Sequence, residues 1–417
     1  MEKIVVEGGT RLEGTVRISG AKNAVLPILA ASLLSEEENI IDDVPNIRDV
    51  RVMCQVLREL GAEVEQNRNK VKVRAKKINH YEVPEHLMRE MRASNLVLGA
   101  LLGKLKKAKV SYPGGCAIGS RPMDLHFKGL KALGAEIQEK HGFIYAEAKE
   151  LKGKEIHLDF PSVGATENIM MAAVFAKGTT IIRNPAREPE IVDLQNFLNG
   201  MGAYVQGAGT EVIKIQGVSQ LGGTEHIVIP DRIEAGTYMV GAAITGGNIV
   251  LENVVSEHVE PVRAKLEEAG IQVIELGNKL RIVSNGVVKP FDIRTLPYPG
   301  FPTDMQPQMM ALMSIAEGSG VVNEGIFEGR LKHVGELRRM GADIQVEGRV
   351  AIIKGVKNLT GAAVEATDLR AGPALILAGM VAEGLTEVGG VQHIDRGYEN
   401  LEGKLTNLGA KIYRQKD

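Results

Sequence analysis

The sequence predicts an α/β protein built from six copies of one repeated unit. Three observations support this prediction. A helix end, a glycine and an alternating strand recur six times in that order. A second helix, which is apolar and rich in small residues, recurs in phase with the first. Helix and strand patterns alternate along the chain instead of forming separate blocks, which is typical of the α/β class.

The first repeated element is a helix end that is followed by a glycine and then a strand. Glycine just past a helix accepts a positive φ without a Cβ clash, and the residues after it alternate as in a half-buried strand. The glycines recur at nearly even intervals, at Gly61, Gly134, Gly202, Gly270, Gly341 and Gly409. The copies are 57–64 (LRELGAEV), 130–137 (LKALGAEI), 198–205 (LNGMGAYV), 266–273 (LEEAGIQV), 337–344 (LRRMGADI) and 405–412 (LTNLGAKI).

The second repeated element is a helix of small apolar residues that is followed by a strand. Alanine and glycine allow helices to pack closely, so we expect these helices inside a domain. Each unit then holds two helices and several strands. The predicted helices are 24–34, 95–102, 167–176, 236–244, 308–315 and 372–381.

Six units can form one continuous solenoid or two groups of three. Solenoid repeats are usually about 20 to 45 residues long, so units of about 70 residues favour two compact lobes. Residues 221–232 (LGGTEHIVIPDR) indicate a strand followed by a crossing between the groups. The segment 1–21 precedes the first repeat helix, and we expect its strands to complete the second group.

Composition excludes several function classes. The net charge is −2 and tryptophan is absent, so neither a general affinity for nucleic acid nor a base-stacking surface is expected. Two cysteines argue against a disulfide framework and against cysteine-rich zinc sites. A charged N-terminus and the lack of a long apolar run predict a soluble intracellular protein without a membrane span.

Charged residues recur at the starts of the small-residue helices. A helix N-terminus has free N–H groups and a partial positive charge, which favour an anion. Cations there oppose the helix dipole and so do not stabilise the helix. The presence of Lys22, Arg92 and Arg370 at such positions is therefore better explained by a shared anionic ligand. The alternative for each is a long side chain with a solvated tip.

A glycine-rich loop at 112–126 (YPGGCAIGSRPMDLH) contains Cys116, and Arg121 follows it. A cysteine near a cation can have a lowered pKa and act as an acid or a nucleophile. Such loops can close over a ligand. The alternative is a small buried hydrophobic residue. We expect that role for Cys54, which lies in a helical pattern.

Eight segments carry a resemblance to a known family. Through these segments the chain resembles the bacterial UDP-N-acetylglucosamine 1-carboxyvinyltransferases over nearly its whole length. The cysteine loop and SGAKNA are the specific motifs, while DLRAG is shared with the related enzymes of aromatic biosynthesis. The matching segments are SGAKNAVLPIL (19–29), RASN (92–95), PGGCAIGSRPMDLH (113–126), PSVGATENIM (161–170), AREPEIVDL (186–194), PDRIEAGTY (230–238), PGFPTDMQPQ (299–308) and DLRAGPAL (368–375).

The resemblance implies a two-lobed inverse α/β barrel with three repeats in each lobe. One lobe is 22–229 and the other is 1–21 with 230–417. It also implies transfer of the enolpyruvyl group of phosphoenolpyruvate to the 3-hydroxyl of UDP-N-acetylglucosamine, with release of phosphate, in cytoplasmic peptidoglycan precursor synthesis. Both substrates are small molecules. No metal or cofactor is implied, and no oligomeric state is predicted.

The resemblance assigns catalytic roles to Cys116, Lys22, Asp304 and Arg396. Asp304 is the general base for the 3-hydroxyl and Cys116 the acid that protonates phosphoenolpyruvate. Asn23 and Asp304 hold the sugar, 121–125 and 162–164 line the uridine diphosphate site, and 326–327 lie beside the sugar nucleotide. The cations that surround phosphoenolpyruvate are Lys22, Arg92, Arg121, Arg330, Arg370 and Arg396. The substrate-binding residues it implies are Lys22, Asn23, Arg92, Arg121, Pro122, Met123, Asp124, Leu125, Ser162, Val163, Gly164, Asp304, Ile326, Phe327, Arg330, Arg370 and Arg396.

Two details qualify the resemblance. Some relatives carry lysine where this chain has Phe160, which puts one polar contact at the uridine site in doubt. Some relatives carry aspartate in place of Cys116, and retention of the cysteine predicts alkylation by the epoxide fosfomycin.

Two other functions would share parts of this pattern. A shikimate-phosphate enolpyruvyl transferase shares the fold and the phosphoenolpyruvate chemistry but lacks the glycine-rich cysteine loop. A binding protein that senses a sugar nucleotide without turnover would have no reason to keep Cys116, Asp304 and the cations together.

Overall fold

A computed structural model of the chain describes residues 2–91, 95–112, 118–119 and 123–416. The described residues divide into two compact units. The N-terminal unit contains 20–91, 95–112 and 123–229, and the C-terminal unit contains 2–19, 118–119 and 230–416. Each unit has its own hydrophobic core.

The strands of the first half are β1 (Glu2–Glu7), β2 (Glu13–Arg17), β3 (Glu38–Asp42), β4 (Glu63–Asn67), β5 (Lys70–Arg74), β6 (Lys107–Ser111), β7 (Glu136–Lys140), β8 (Phe143–Glu147), β9 (Glu155–His157), β10 (Thr179–Arg183), β11 (Tyr204–Gln206) and β12 (Val212–Gln216). Those of the second half are β13 (Glu225–Ile227), β14 (Asn248–Glu252), β15 (Gln272–Glu275), β16 (Lys279–Val283), β17 (Ile293–Arg294), β18 (Ser319–Asn323), β19 (Asp343–Glu347), β20 (Val350–Lys354), β21 (Ala363–Glu365), β22 (Leu385–Gly389) and β23 (Lys411–Lys416).

The α-helices of the N-terminal unit are α1 (Lys22–Ala31), α2 (Arg48–Glu59), α3 (Glu85–Glu90), α4 (Val97–Leu105), α5 (Asp124–Ala132), α6 (Val163–Ala173) and α7 (Pro189–Gly200). Those of the C-terminal unit are α8 (Arg232–Thr245), α9 (Glu260–Glu268), α10 (Gln306–Met313), α11 (Val334–Arg339), α12 (Ala371–Gly379), α13 (Val391–Ile394) and α14 (Leu401–Asn407).

Each unit contains three separate sheets with one shared topology. An edge strand runs parallel to its neighbour, and the next two strands are each antiparallel to the one before. In the sheet of β6, an isolated parallel bridge between Glu82 and Lys109 takes the place of the edge strand. The sheets of the N-terminal unit have the orders β13-β3-β5-β4, β6-β8-β7 and β11-β12-β10-β9. Those of the C-terminal unit have the orders β15-β16-β14-β2, β17-β18-β20-β19 and β21-β22-β1-β23.

Within the described residues no sheet closes on itself. Helices and separate sheets, not one continuous sheet, therefore enclose each core.

The N-terminal strands belong to sheets of the C-terminal unit. β1 pairs with β22 and β23, so that Ile4 lies opposite both Val388 and Arg414. β2 runs parallel to β14. The strand predicted within 221–232 is β13, which pairs with β3 of the N-terminal unit.

The six predicted helix-ending glycines all have positive φ. Their φ angles lie between 89° at Gly341 and 104° at Gly134. A non-glycine residue is strained in this region. The repeat prediction is therefore confirmed at the backbone positions on which it was based.

The small-residue helices are buried, as predicted. Every residue of α10 and α12 is buried. A Cβ built on Gly99 of α4 would lie 2.3 Å from the carbonyl oxygen of Asn168 on α6. Only a residue without a side chain allows this close helix contact. The sheets cover these helices with one face and expose the other, as the alternating burial of β8 and β12 shows.

Several of these helices begin earlier than predicted. α6 begins at Val163 instead of 167, because the Ser162 hydroxyl caps it at Ala165 N. α8 begins at Arg232 because Asp231 caps the N–H groups of Ile233 and Glu234. Two short helices, α3 and α13, were not predicted. Cys54 is fully buried and burial raises the pKa of its thiol to about 11, so its predicted core role is confirmed.

Candidate functional site

The C-terminal unit places a carboxylate between two buried arginines. Asp304 Oδ1 accepts a hydrogen bond from Arg330 Nη2 at 2.8 Å, and Asp304 Oδ2 accepts one from Arg370 Nη2 at 3.0 Å. The side chains of Arg330 and Arg370 are 1% exposed and that of Asp304 is 25% exposed. We call these three residues the arginine–aspartate cluster.

The cluster lies at the starts of the small-residue helices. Asp304 is in the short 3-10 turn that leads into α10, and Arg370 is the residue before α12. Asp231, the cap of α8, acts electrostatically on Arg370. Burial alone would lower the pKa of Arg370, but Asp304, Tyr398 and Asp231 hold it above its ordinary value. In this unit the sequence-predicted helix starts therefore meet.

Two donors of the cluster have no acceptor among the described residues. They are Arg330 Nε and Arg370 Nη1, and both are buried. An unsatisfied buried donor costs about 1–3 kcal/mol, more when it is charged. A phosphate or carboxylate of a ligand would satisfy such donors.

Two buried residues, Tyr398 and His333, contact the arginines of the cluster. The Tyr398 ring lies 5.5 Å from the Arg370 guanidinium carbon, and its hydroxyl is within hydrogen-bond distance of Thr237 Oγ1 at 2.9 Å. His333 Nδ1 lies 3.1 Å from the Arg330 carbonyl oxygen. Burial lowers the pKa of His333 to about 4, so the ring is neutral near neutral pH. Neither residue was singled out from the sequence.

Ile326 and Phe327 begin the segment that leads to Arg330. Their backbone N–H groups donate to Glu324 Oε1 at 2.9 and 3.1 Å. The Phe327 ring centroid lies 5.9 Å from the Arg330 guanidinium carbon. The predicted sugar-nucleotide residues and the arginine–aspartate cluster are thus parts of one local structure.

Lys22 in the N-terminal unit is buried and paired. It is the first residue of α1, whose N-cap offers no side-chain acceptor. Its Nζ lies 2.8 Å from Asp49 Oδ2, and the two side chains are 8% and 2% exposed. Asn23 follows and is half-buried. Asp49 was not recognised from the sequence, because nothing in the repeat pattern marks it.

The described members of the predicted uridine diphosphate set, 123–125 and 162–164, lie at the starts of α5 and α6. A Cβ on Gly164 would lie 3.1 Å from the His126 ring. Asn168 Nδ2 lies 3.0 Å from His126 Nδ1 and its amide oxygen accepts from Gly99 N at 2.6 Å. Met123, Asp124 and Leu125 form the N-cap and first turn of α5, next to His126. Ser162, Val163 and Gly164 form the N-cap and first turn of α6.

A buried carboxylate follows these residues on α6. Glu167 is buried. Burial, then the neighbouring carboxylates of Glu190 and Glu188, raise its pKa well above the ordinary value. The sequence offered no signal for this group, since its carboxylate neighbours belong to a different element, on and just before α7.

The remaining predicted site residues fall into two groups. Arg396 is half-buried in the turn between α13 and Tyr398. Cys116, Arg92, Arg121 and Pro122 lie outside the described residues. Their expected roles remain predictions.

Chemically, the described residues offer cations, the half-buried carboxylate of Asp304 and helix N-termini. These groups suit an anionic ligand that also presents a hydroxyl. Among the described residues, no three or more His, Cys, Asp or Glu side chains are arranged so that they could hold a metal ion. Over the same ranges, none of the helices combines the length and apolarity that crossing a membrane requires.

The chain is similar to several known proteins. The family model of EPSP synthase (3-phosphoshikimate 1-carboxyvinyltransferase) matches residues 6–405. UDP-N-acetylglucosamine 1-carboxyvinyltransferase 1 of Caldanaerobacter subterraneus subsp. tengcongensis is 59% identical over 413 residues, covering 99% of each chain. UDP-N-acetylglucosamine 1-carboxyvinyltransferase 2 of Carboxydothermus hydrogenoformans is 58% identical over 419 residues, covering 100% of each.

Solved structures share the fold. The enolpyruvyl transferase NikO from Streptomyces tendae superposes with a TM-score of 0.90 at 24% identity, covering 100% of this chain and 99% of its own. EPSP synthase from Acinetobacter baumannii superposes with a TM-score of 0.79 at 20% identity, covering 100% of each chain. These identities support the common α/β fold alone.

Proposed function

The chain belongs to the EPSP synthase family and, within it, to the UDP-N-acetylglucosamine 1-carboxyvinyltransferases, and from this membership we propose how its residues perform the transfer. It is a transferase that moves the enolpyruvyl group of phosphoenolpyruvate to the 3-hydroxyl of UDP-N-acetylglucosamine and releases phosphate. This is the enolpyruvyl transfer step of peptidoglycan precursor synthesis.

The arginine–aspartate cluster carries the proposal for the site. Asp304 is its most exposed member, and its carboxylate can accept the proton of a sugar hydroxyl. The free donors of Arg330 and Arg370 suit an anionic group of phosphoenolpyruvate. Lys22 and Arg396, with Arg92 and Arg121, are the further cations that we assign to this substrate.

The proposed chemistry is addition followed by elimination. In the addition, Cys116 gives a proton to the methylene carbon of phosphoenolpyruvate while Asp304 removes the proton of the 3-hydroxyl, whose oxygen bonds to the central carbon. The product is a tetrahedral phospholactoyl ketal. In the elimination, the former methylene carbon gives a proton back to the Cys116 thiolate, its double bond to the central carbon forms again, and the carbon–oxygen bond to phosphate breaks. Phosphate leaves with the electron pair of that bond and takes up the proton that Asp304 holds. Cations around the phosphate stabilise its developing charge.

We also propose which residues bind the sugar nucleotide. We assign Asn23 and Asp304 to the sugar, 121–125 and 162–164 to the uridine diphosphate, and Ile326 and Phe327 to the adjacent surface. The start of α5, where Met123 makes no side-chain cap hydrogen bond, supports a diphosphate site, because it leaves backbone N–H groups for an anion.

We also propose that the two structural units correspond to two lobes of three repeats, 22–229 and 1–21 with 230–417. Three sheets of shared topology in each unit support this assignment. A cytoplasmic location is proposed because both substrates are phosphorylated metabolites of the cell interior.

Replacing Asp304 tests the assigned base. In Asp304→Asn we expect kcat for phosphate release to fall by about 10²–10⁴, the usual contribution of a general base. Steady-state kinetics with both substrates measure this. Asp292→Asn is the matched control, since Asp292 is exposed and its Oδ1 accepts a backbone hydrogen bond from Val321 in the same unit. A value of kcat within about threefold of wild type in Asp304→Asn would contradict the role of general base.

A further inference from the structure

We propose that Glu324 is a positioning residue that holds Asp304 and the segment 325–330 in the geometry needed for the sugar nucleotide. The inference rests on the proposed function of Asp304, Ile326 and Phe327. Glu324 follows β18, and its side chain is fully buried.

Four hydrogen bonds converge on the Glu324 carboxylate. Oε1 accepts from Thr295 Oγ1 at 2.8 Å and from the backbone N–H groups of Ile326 and Phe327 at 2.9 and 3.1 Å. Oε2 accepts from Thr303 Oγ1 at 3.0 Å. None of these four donors carries a charge. Burying a carboxylate is costly, and here neutral donors instead of a cation offset the cost.

The donors come from three separate stretches of chain. Thr295 follows β17, Thr303 immediately precedes Asp304, and Ile326 and Phe327 lie in the segment that ends at Arg330. Thr295 Oγ1 also accepts from Gly325 N at 2.8 Å. Glu324 therefore joins the residue before Asp304 to the segment that supplies the Arg330 hydrogen bond to Asp304.

The same segment contacts the described part of the glycine-rich loop. Gly329 N donates to the Ile118 carbonyl oxygen at 2.9 Å, and a Cβ on Gly119 would lie 2.8 Å from the Glu328 carboxyl group. A shift of segment 325–330 would thus move contacts of this loop as well as Ile326, Phe327 and Arg330.

A carboxylate is needed for this arrangement because both of its oxygens accept and neither donates. Glutamine has nearly the same shape but presents an NH₂ group in place of one oxygen. In Glu324→Gln, the NH₂ group faces either Thr303, whose hydroxyl then has to accept instead of donate, or the N–H groups of 326–327, which lose their acceptor. A displacement of about 1 Å in a catalytic arrangement can cost about 10² in rate.

The test compares wild type, Glu324→Gln and the control Asp292→Asn in steady-state kinetics, together with their melting temperatures. Asp292→Asn removes the same charge beside the same sheet and is expected to keep wild-type kinetics. In Glu324→Gln we expect the KM for UDP-N-acetylglucosamine to rise about tenfold and kcat to fall about tenfold, as the loss of a hydrogen bond to a charged group implies.

Thr303 supplies a second test that does not depend on the folding of Glu324→Gln. Thr303→Val removes the hydroxyl and is expected to change KM and kcat in the same directions. Thr303→Ser keeps the hydroxyl and is expected to restore both to within about threefold of wild type.

Three outcomes overturn the inference. Glu324→Gln or Thr303→Val with unchanged KM and kcat would show that the network does not position the site, while the proposed function stands. A lowered melting temperature with unchanged kinetics would show a purely structural role. A wild-type protein without turnover of UDP-N-acetylglucosamine would contradict the proposed function itself.

Discussion

Arg330 and Arg370 are almost fully buried, yet each keeps a nitrogen without a hydrogen-bond acceptor among the described residues. Asp304 satisfies only part of their donor capacity. Leaving buried charged donors unpaired disfavours the ligand-free protein, so part of that cost is recovered when an anion binds. The cluster is therefore better explained by binding than by stability.

Glu167 provides a prediction on pH dependence. Its folded-state pKa is raised above the unfolded value, so its contribution to stability is present below about pH 4.5 and is lost as pH rises through the folded-state pKa. We expect Glu167→Gln to melt at least about 2 °C higher than wild type at pH 8, because glutamine removes this cost. The difference should vanish near pH 4.5.

Melting temperatures of both proteins at the two pH values measure the effect. Glu59→Gln is the control, because Glu59 is exposed at the end of α2 and should give no comparable difference. Equal melting temperatures of Glu167→Gln and wild type at pH 8 would refute the explanation by burial.

Among the cluster residues and their neighbours, the residue pattern alone singled out only those that the repeat marks. Lys22 and Arg370 were singled out because cations recur at equivalent helix starts. Asp49 and Glu324 were not singled out, because their partners Lys22 and Thr303 lie more than 20 residues away in the sequence and no motif links them. A buried carboxylate and an exposed one have the same letter in the sequence, and only the fold distinguishes them.

At the scale of the element, glycine gives the clearest prediction. Gly202 follows α7 with φ of 99°, and a Cβ there would contact nothing within 4 Å. A Cβ on Gly335 in α11 would also contact nothing within 4 Å, but Gly335 does not have a positive φ. We expect Gly202→Ala to lower the free energy of unfolding by about 1–2 kcal/mol, the cost of left-handed backbone for a residue with Cβ.

Gly335→Ala is the matched control and should raise the free energy of unfolding by up to about 1 kcal/mol, because alanine favours the helix. The free energies of unfolding are measured by denaturant unfolding of both variants and of wild type. A loss of stability in Gly335→Ala equal to that in Gly202→Ala would show that backbone conformation is not the cause.

Helix existence was easier to predict than helix boundaries. All six small-residue helices were anticipated from composition and phase. Their starts were placed too late at α6 and α8, although Ser162 and Asp231 are capping residues. At both starts the capping residue, and not the run of small apolar residues, marks where the helix begins.

At the scale of the whole molecule, the six sheets among the described residues match the six predicted repeats in number, but the repeat did not predict the strand order. Each four-stranded sheet mixes parallel and antiparallel neighbours, and β1 enters a sheet with β22 and β23 from the other end of the chain. Such pairing depends on long-range contacts that local patterns do not encode. The full-length similarity to enolpyruvyl transferases supplies the substrates, which no single residue could have identified.

Phosphate release from phosphoenolpyruvate is the most direct test of the assigned reaction. Wild type and Cys116→Ala are assayed with UDP-N-acetylglucosamine, with shikimate 3-phosphate and without an acceptor. We expect wild type to release phosphate only with UDP-N-acetylglucosamine, fosfomycin to abolish this activity, and Cys116→Ala to lose at least about 10² in kcat as expected for a missing general acid. Release with shikimate 3-phosphate alone, or an unchanged rate in Cys116→Ala, would contradict the substrate or the acid, respectively.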